Sequence, residues 1–200
     1  AAMTSTRPGG SSRAALTISA VRSHRAQFCG LVKLKQRPPA WATTTITVAP
    51  RLFAELEESG LLVAGVSAGA AELRRHEWQC FALYACVRGL VAAAGFNRES
   101  AAAIDALHEA ALERWMTEAS HRPFEERRAN IAERYAEYGT IGQEGGAAGA
   151  ITVTARLGAA AATHIAGVNS SQELAELTGA LHEALVEGAT EAVRRGAEAG

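Results

Sequence analysis

Apolar residues recur every three or four positions through most of this chain beyond Pro50, the spacing of helices that bury one face. The last such stretch is the most regular. Ser170 and Glu173 form a capping box, and Leu174, Leu177, Leu181 and Leu185 follow with Glu and Arg residues around them. Such a seam packs on a neighbouring helix, in the same chain or in a partner. Upstream, Asn97 is placed to cap a helix reaching Ala119. Its inner face is Ile104, Leu107, Ala111 and Trp115, widened by Leu112 and Met116. Pro123 opens the next helix, with Phe124, Ile131, Tyr135 and Tyr138 inward and Gly139 as its end. The longest apolar stretch, Leu61–Phe96, reads as a short apolar run, a glycine-containing turn and a long helix. Gln79, Arg88, Gly89 and Gly95 interrupt Trp78–Phe96, and a central arginine costs about 2.5–3.5 kcal/mol in a bilayer. This is a buried core helix rather than a membrane span.

Three segments are less regular. Thr43–Val48 is β-branched and predicts a short strand. Pro50 then suits the first turn of a short helix with Leu52, Phe53 and Leu56 on one face and Gly60 as its cap. Gly139–Gly149 is glycine-rich and reads as a flexible connector, since it lacks the Gly-Lys-Ser/Thr end of a phosphate loop. Within Ala150–Val168, Ile151–Leu157 alternates like a strand while the alanines that follow favour a helix. The helix is preferred, with a strand left open. The fold class is therefore mainly α, a bundle of about five helices with room for a minor β element.

Composition adds a division. Residues 1–54 carry eight basic side chains and no acid, whereas the rest of the chain holds all 21 acids. The expected organisation is a basic N-terminal segment over 1–49 and a helical domain over 50–200. The basic segment has three readings: a non-native leader, a basic arm that touches nucleic acid or an acidic partner, or an organellar transit peptide. Its two aromatic residues, Phe28 and Trp41, are too few to alternate with the charges in the manner of a nucleic-acid site. Cys29, Cys80 and Cys86 give an odd count without CxxC spacing, so neither a disulfide framework nor a zinc motif is predicted. Reduced, buried thiols and a cytoplasmic location are expected, with organellar import as the alternative.

One motif carries catalytic chemistry. Gly65-Val66-Ser67-Ala68-Gly69 has the form of a nucleophile elbow, in which small neighbours let a serine stand on a tight turn before a helix. The segment LEESGLLVAGVSAGA resembles the nucleophile region of patatin-like lipases, which implies Ser67 as the nucleophile of an esterase or lipase. That family pairs its serine with an aspartate in an Asp-Gly motif, whereas the sole aspartate here, Asp105, precedes Ala106. No glycine-rich oxyanion loop matches either. A Ser-His-acid arrangement would instead draw on His108, His121, His164 or His182. The competing reading makes Ser67 the N-cap of the long helix. Glu72 and His76, Asp105 and His108, and Glu118 and His121 stand at spacings that put a carboxylate and an imidazole on one helix face. Their mixed spacing does not make a di-metal set, so no metal or cofactor is predicted. The expectation is a non-enzymatic interaction module that binds itself or another helical protein, with a serine hydrolase at Ser67 as the alternative.

Overall fold

Helix α2 (Ala68–Ala94) is enclosed by the rest of the chain: every residue from His76 to Cys86 is buried, polar and apolar alike. Around it stand α1 (Ala40–Glu58), α3 (Arg98–Thr117), α4 (Phe124–Gly145), α5 (Ala150–Ala166) and α6 (Gln172–Glu198). This is a computed structural model that describes residues 40–117, 122–145 and 149–198. Six helices and no strand occur among the described residues, so the protein is a mainly α-helical bundle. No helix among them is long and apolar enough to cross a membrane.

Both runs suspected of β structure are helical. In α1 the β-branched Thr43–Val48 leads without a break through Pro50. An interior proline loses one ladder hydrogen bond and costs about 3 kcal/mol. The burial of Val48, Ala49, Leu52, Phe53 and Leu56 on one face offsets that cost, at roughly 1.5–3 kcal/mol for each large side chain. Trp78 Nε1–H also donates to Ala49 O at 2.7 Å, tying α1 to α2. The composition break near Pro50 thus falls inside a helix. In α5, Val153, Leu157, Ala161, Ala162 and Ile165 are buried at helical spacing, which overrides the alternation of Ile151–Leu157. Helix α4 likewise runs past Gly139 to Gly145. Ile141 packs on the core there, so the predicted connector shrinks to the end of Gly139–Gly149. Residues 1–39, including the segment read as a basic arm, leader or transit peptide, lie outside the described residues, as does the Glu118–His121 pair.

The caps follow the sequence closely. Asn97 Oδ1 accepts from the N–H groups of Glu99 and Ser100, each at 2.9 Å, and so starts α3. The cap of α6 is Ser171 rather than Ser170; its hydroxyl accepts from Leu174 N–H at 3.1 Å. Gly95 and Gly167 end α2 and α5 in the left-handed region (φ 73° and 94°), where other residues are strained.

Helix α6 packs against both α2 and α5, and small residues set both crossings. Leu174, Leu177, Leu181 and Leu185 are each 0–1% exposed, so the whole leucine seam is spent inside the chain. At Gly89, a Cβ would stand 2.6 Å from both Val186 O and Ala189 Cβ of α6. At Gly158, a Cβ would run into Ala175 O and stand 2.7 Å from Gly179 N. The buried Thr178 hydroxyl lies 2.8 Å from Gly158 O across this second interface and 2.9 Å from Leu174 O in its own helix. At the first interface, Thr190 Oγ1 lies 3.1 Å from Gly89 O and 2.8 Å from Val186 O. In each case a threonine of α6 points its hydroxyl at the carbonyl of the glycine that admits the close approach.

Two glycine substitutions separate packing from propensity. Gly158→Ala pushes a methyl group into the backbone of α6 and is expected to destabilise the protein by about 1–3 kcal/mol. Gly139→Ala, in α4 with nothing within 4 Å of the added Cβ, is expected to stabilise it by up to about 1 kcal/mol. Urea denaturation of both variants checks the opposite signs; a stabilised Gly158→Ala would contradict the close crossing.

Candidate functional site

A cleft of ligand size lies among the described residues, built by the hairpin of α3 and α4. Its cavity is about 590 Å³, within the range of small-molecule sites. Helical spacing makes its walls. On α3, Asp105, His108, Glu109 and Leu112 fall on one face; on α4, Arg128, Ile131, Ala132 and Tyr135 do the same, with Phe124 at the helix start. Leu112 and Ile131, each 6% exposed, form the floor. Asp105, Glu109 and Arg128 stand exposed at the rim.

The centre of the cleft is a histidine–tyrosine pair. His108 Nε2 lies 2.9 Å from the Tyr135 hydroxyl, and the two rings are 5.2 Å apart. Burial lowers the His108 pKa, against the opposing charge of Asp105. Burial, reinforced by the neighbouring Cys80, Cys86 and Tyr84, raises the Tyr135 pKa well above the phenolic range. Both groups are therefore neutral at pH 7. Whichever of the two donates, the pair keeps one donor and one acceptor for an incoming molecule.

Behind α4 lies a polar network that resembles catalytic machinery but lacks its electrostatics. Glu77, 3% exposed, accepts from Arg134 twice: from Nε at 2.7 Å and from Nη2 at 3.1 Å. Asn130 Nδ2 donates to the same carboxylate at 3.3 Å. Cys80 Sγ donates to Asn130 Oδ1 at 3.4 Å and stands 3.7 Å from His76 Nε2. A cysteine beside a histidine suggests a nucleophile, which requires a thiolate. Here burial, followed by the Glu77 charge, pushes the thiol pKa far up. Burial, followed by the Arg127 charge, pulls His76 down to about 4. Cys80 remains a neutral thiol. The network's role is structural: it satisfies the polar groups on the enclosed helix.

Ser67 stands apart from both regions. It is exposed, and the segment before it is a loop rather than a strand. Its Oγ accepts from Ala70 N–H at 3.3 Å as the N-cap of α2. The candidate partner histidines are engaged elsewhere. His108 faces Tyr135; His164 Nε2 lies 2.8 Å from Glu137. The fully buried His182 sits between Arg88 at 3.5 Å and Glu183 at 3.4 Å. His121 lies outside the described residues. Of the carboxylate–imidazole pairs, Glu72 and His76 belong to the buried side of α2, and Asp105 and His108 belong to the cleft. Among the described residues no group of three or more His, Cys, Asp or Glu side chains converges as a metal site would require.

Tyr135, Glu109 and Arg128 were not singled out by sequence as site residues. Their signal was present in the helical register of each helix. What the register lacked was which stripe faces which. No protein-family model, curated protein or solved structure matches this chain.

Two expectations follow from these environments. Replacing the cap, Ser67→Ala, leaves an N–H of the first turn without its partner. The loss should be about 0.5–2 kcal/mol in denaturation; no change would remove the capping role. The buried histidines make the fold acid-labile. Unfolded His76 takes up a proton near pH 6.5 and the folded form only near 4. Its contribution is thus complete above about pH 6.5 and is lost as the pH falls toward 4, about 3 kcal/mol from this residue. His182, lowered by burial, acts in the same direction. Glu183, held at about 2 by its hydrogen bond to His182, continues the loss below about pH 4.5. Urea midpoints at about pH 7.5 and about pH 4.5 measure this; equal stability at the two would contradict it.

Proposed function

We propose that this protein is a non-enzymatic binding module whose recognition site is the α3–α4 cleft, and that its ligand is a small amphiphilic molecule. The observation that carries the reading is the His108–Tyr135 pair, a neutral donor–acceptor couple set over an apolar floor in a cavity of ligand size. Ligand sites combine these ingredients: a mainly apolar lining and a few convergent polar groups. The reading keeps the interaction role expected from the sequence but moves its basis. The leucine seam of α6 offers no surface to a second copy, because its four leucines are buried within the chain. Among the described residues no histidine stands within hydrogen-bond reach of Ser67, whose hydroxyl accepts from the Ala70 amide, so a hydrolase centred there has less support.

The test is a fragment screen followed on backbone amide resonances, with Ala132→Trp as the blocked control. Ala132 is exposed on the cleft wall, so the indole fills the cavity without entering the core. Shifts clustered on α3 and α4 that weaken about tenfold or more in the variant are expected. Shifts clustered elsewhere, or none at all, would overturn the reading.

A further inference from the structure

Resting on the cleft as the binding site, we infer that its ligand is an elongated zwitterion: a cationic head and an anionic tail separated by an apolar spacer. The argument is one of register. Helices α2 and α4 run parallel, since Glu72 meets Arg127, Glu77 meets Arg134 and Tyr84 meets Tyr138. Helix α3 follows α2 after only three residues, 95–97, and so runs back antiparallel to both. The contact between His108 and Tyr135 at 2.9 Å fixes the alignment of α3 with α4.

Charge is then distributed along the cleft by helical rise. Seven residues separate Arg128 from Tyr135, about 10 Å along the axis toward the C-terminal end of α3. Leu112 and Ile131 each lie four residues from the central pair on that same side, at about 6 Å. Glu109 stands beside the pair and Asp105 one turn beyond it. The guanidinium is therefore about 9 Å from Glu109 and about 15 Å from Asp105 along the helices, with the apolar floor between. Side chains lean toward their helix N-termini, which in an antiparallel pair draws the two ends further apart. Among the described residues neither the two carboxylates nor the guanidinium has a hydrogen-bond or ion-pair partner, so within that set the charges at both ends are left for a ligand. Such a site favours a molecule that presents an ammonium group to Asp105 and Glu109 and a carboxylate to Arg128. The His108–Tyr135 pair gives a hydrogen bond near the head.

The probes are aminoundecanoate, undecanoate and undecylamine, which share a chain and differ only in their ends. Calorimetric titration of the full chain should show aminoundecanoate binding about fivefold or more tightly than either single-charge analogue. Arg128→Gln should bring it down to the level of undecylamine. The double variant Asp105→Asn with Glu109→Gln should bring it down to undecanoate. All three positions are exposed, so the fold is left intact. Equal binding of the three probes, abolished by Ala132→Trp, would overturn the zwitterion while leaving the cleft as the site. Failure of all three, with fragments still shifting α3 and α4, would do the same. Failure of probes and fragments together would overturn both.

Discussion

Enclosing α2 on all sides is the constraint on which the rest of this structure depends. A helix buried around its whole circumference is ordinarily apolar around its whole circumference, yet this one carries His76, Glu77, Gln79 and Cys80 within a single five-residue stretch. An unpaired carboxylate in that position would cost far more than any hydrogen bond returns. Helix α4 must therefore present Arg134 and Asn130 where Glu77 lies, and it does so with a two-pronged guanidinium contact. The pairing fixes the rotation and register of α4 against α2. Burial on the enclosed helix keeps the Cys80 thiol and the His76 imidazole neutral. What looks like a reactive dyad is part of the scaffold.

The opposite side of α2 is governed by close approach. Gly89 lets α6 come into backbone contact, and Gly158 with Gly179 does the same between α5 and α6. Threonines fill the polar gap at each crossing. With α6 drawn in on both sides, its leucines are buried without a partner chain. The core is thus built mainly by α1, α2, α5 and α6, together with the inward faces of α3 and α4.

Helix α3 is the outlying member, and the cleft follows from that. It meets α4 through a polar side-chain contact, His108 with Tyr135 at 2.9 Å, rather than through a glycine crossing. Leu107 and Ala111 turn toward the core, while the next face over, with His108, Glu109 and Leu112, opens beside α4. Because α4 is already oriented by Glu77 and α3 by the short turn after α2, the face left between them is set by the scaffold. Its charges then fall in a fixed order along the groove.

Much of the helical content could be read directly from the chain. The leucine seam, the Asn97 cap and the core character of the long apolar helix all follow from spacing and composition. These are local properties, determined by which residues recur at 3.6 per turn and which satisfy the first free amides. Sequence also offered Ser67 both as an elbow and as a cap, and locally the two look alike. The tertiary structure decided what local pattern leaves open. It carried α1 through Pro50 and its β-branched run, because Val48 and Ala49 extend the buried face of Leu52, Phe53 and Leu56. It turned Ile151–Leu157 into a helix because Val153 and Leu157 join Ala161, Ala162 and Ile165 on one buried face. It also brought Asp105, His108 and Glu109 opposite Arg128, Ile131 and Tyr135. Pairing of faces between helices is a non-local choice, made by the burial of α2 and by the few glycines that permit contact, and no stretch of the chain carries it alone.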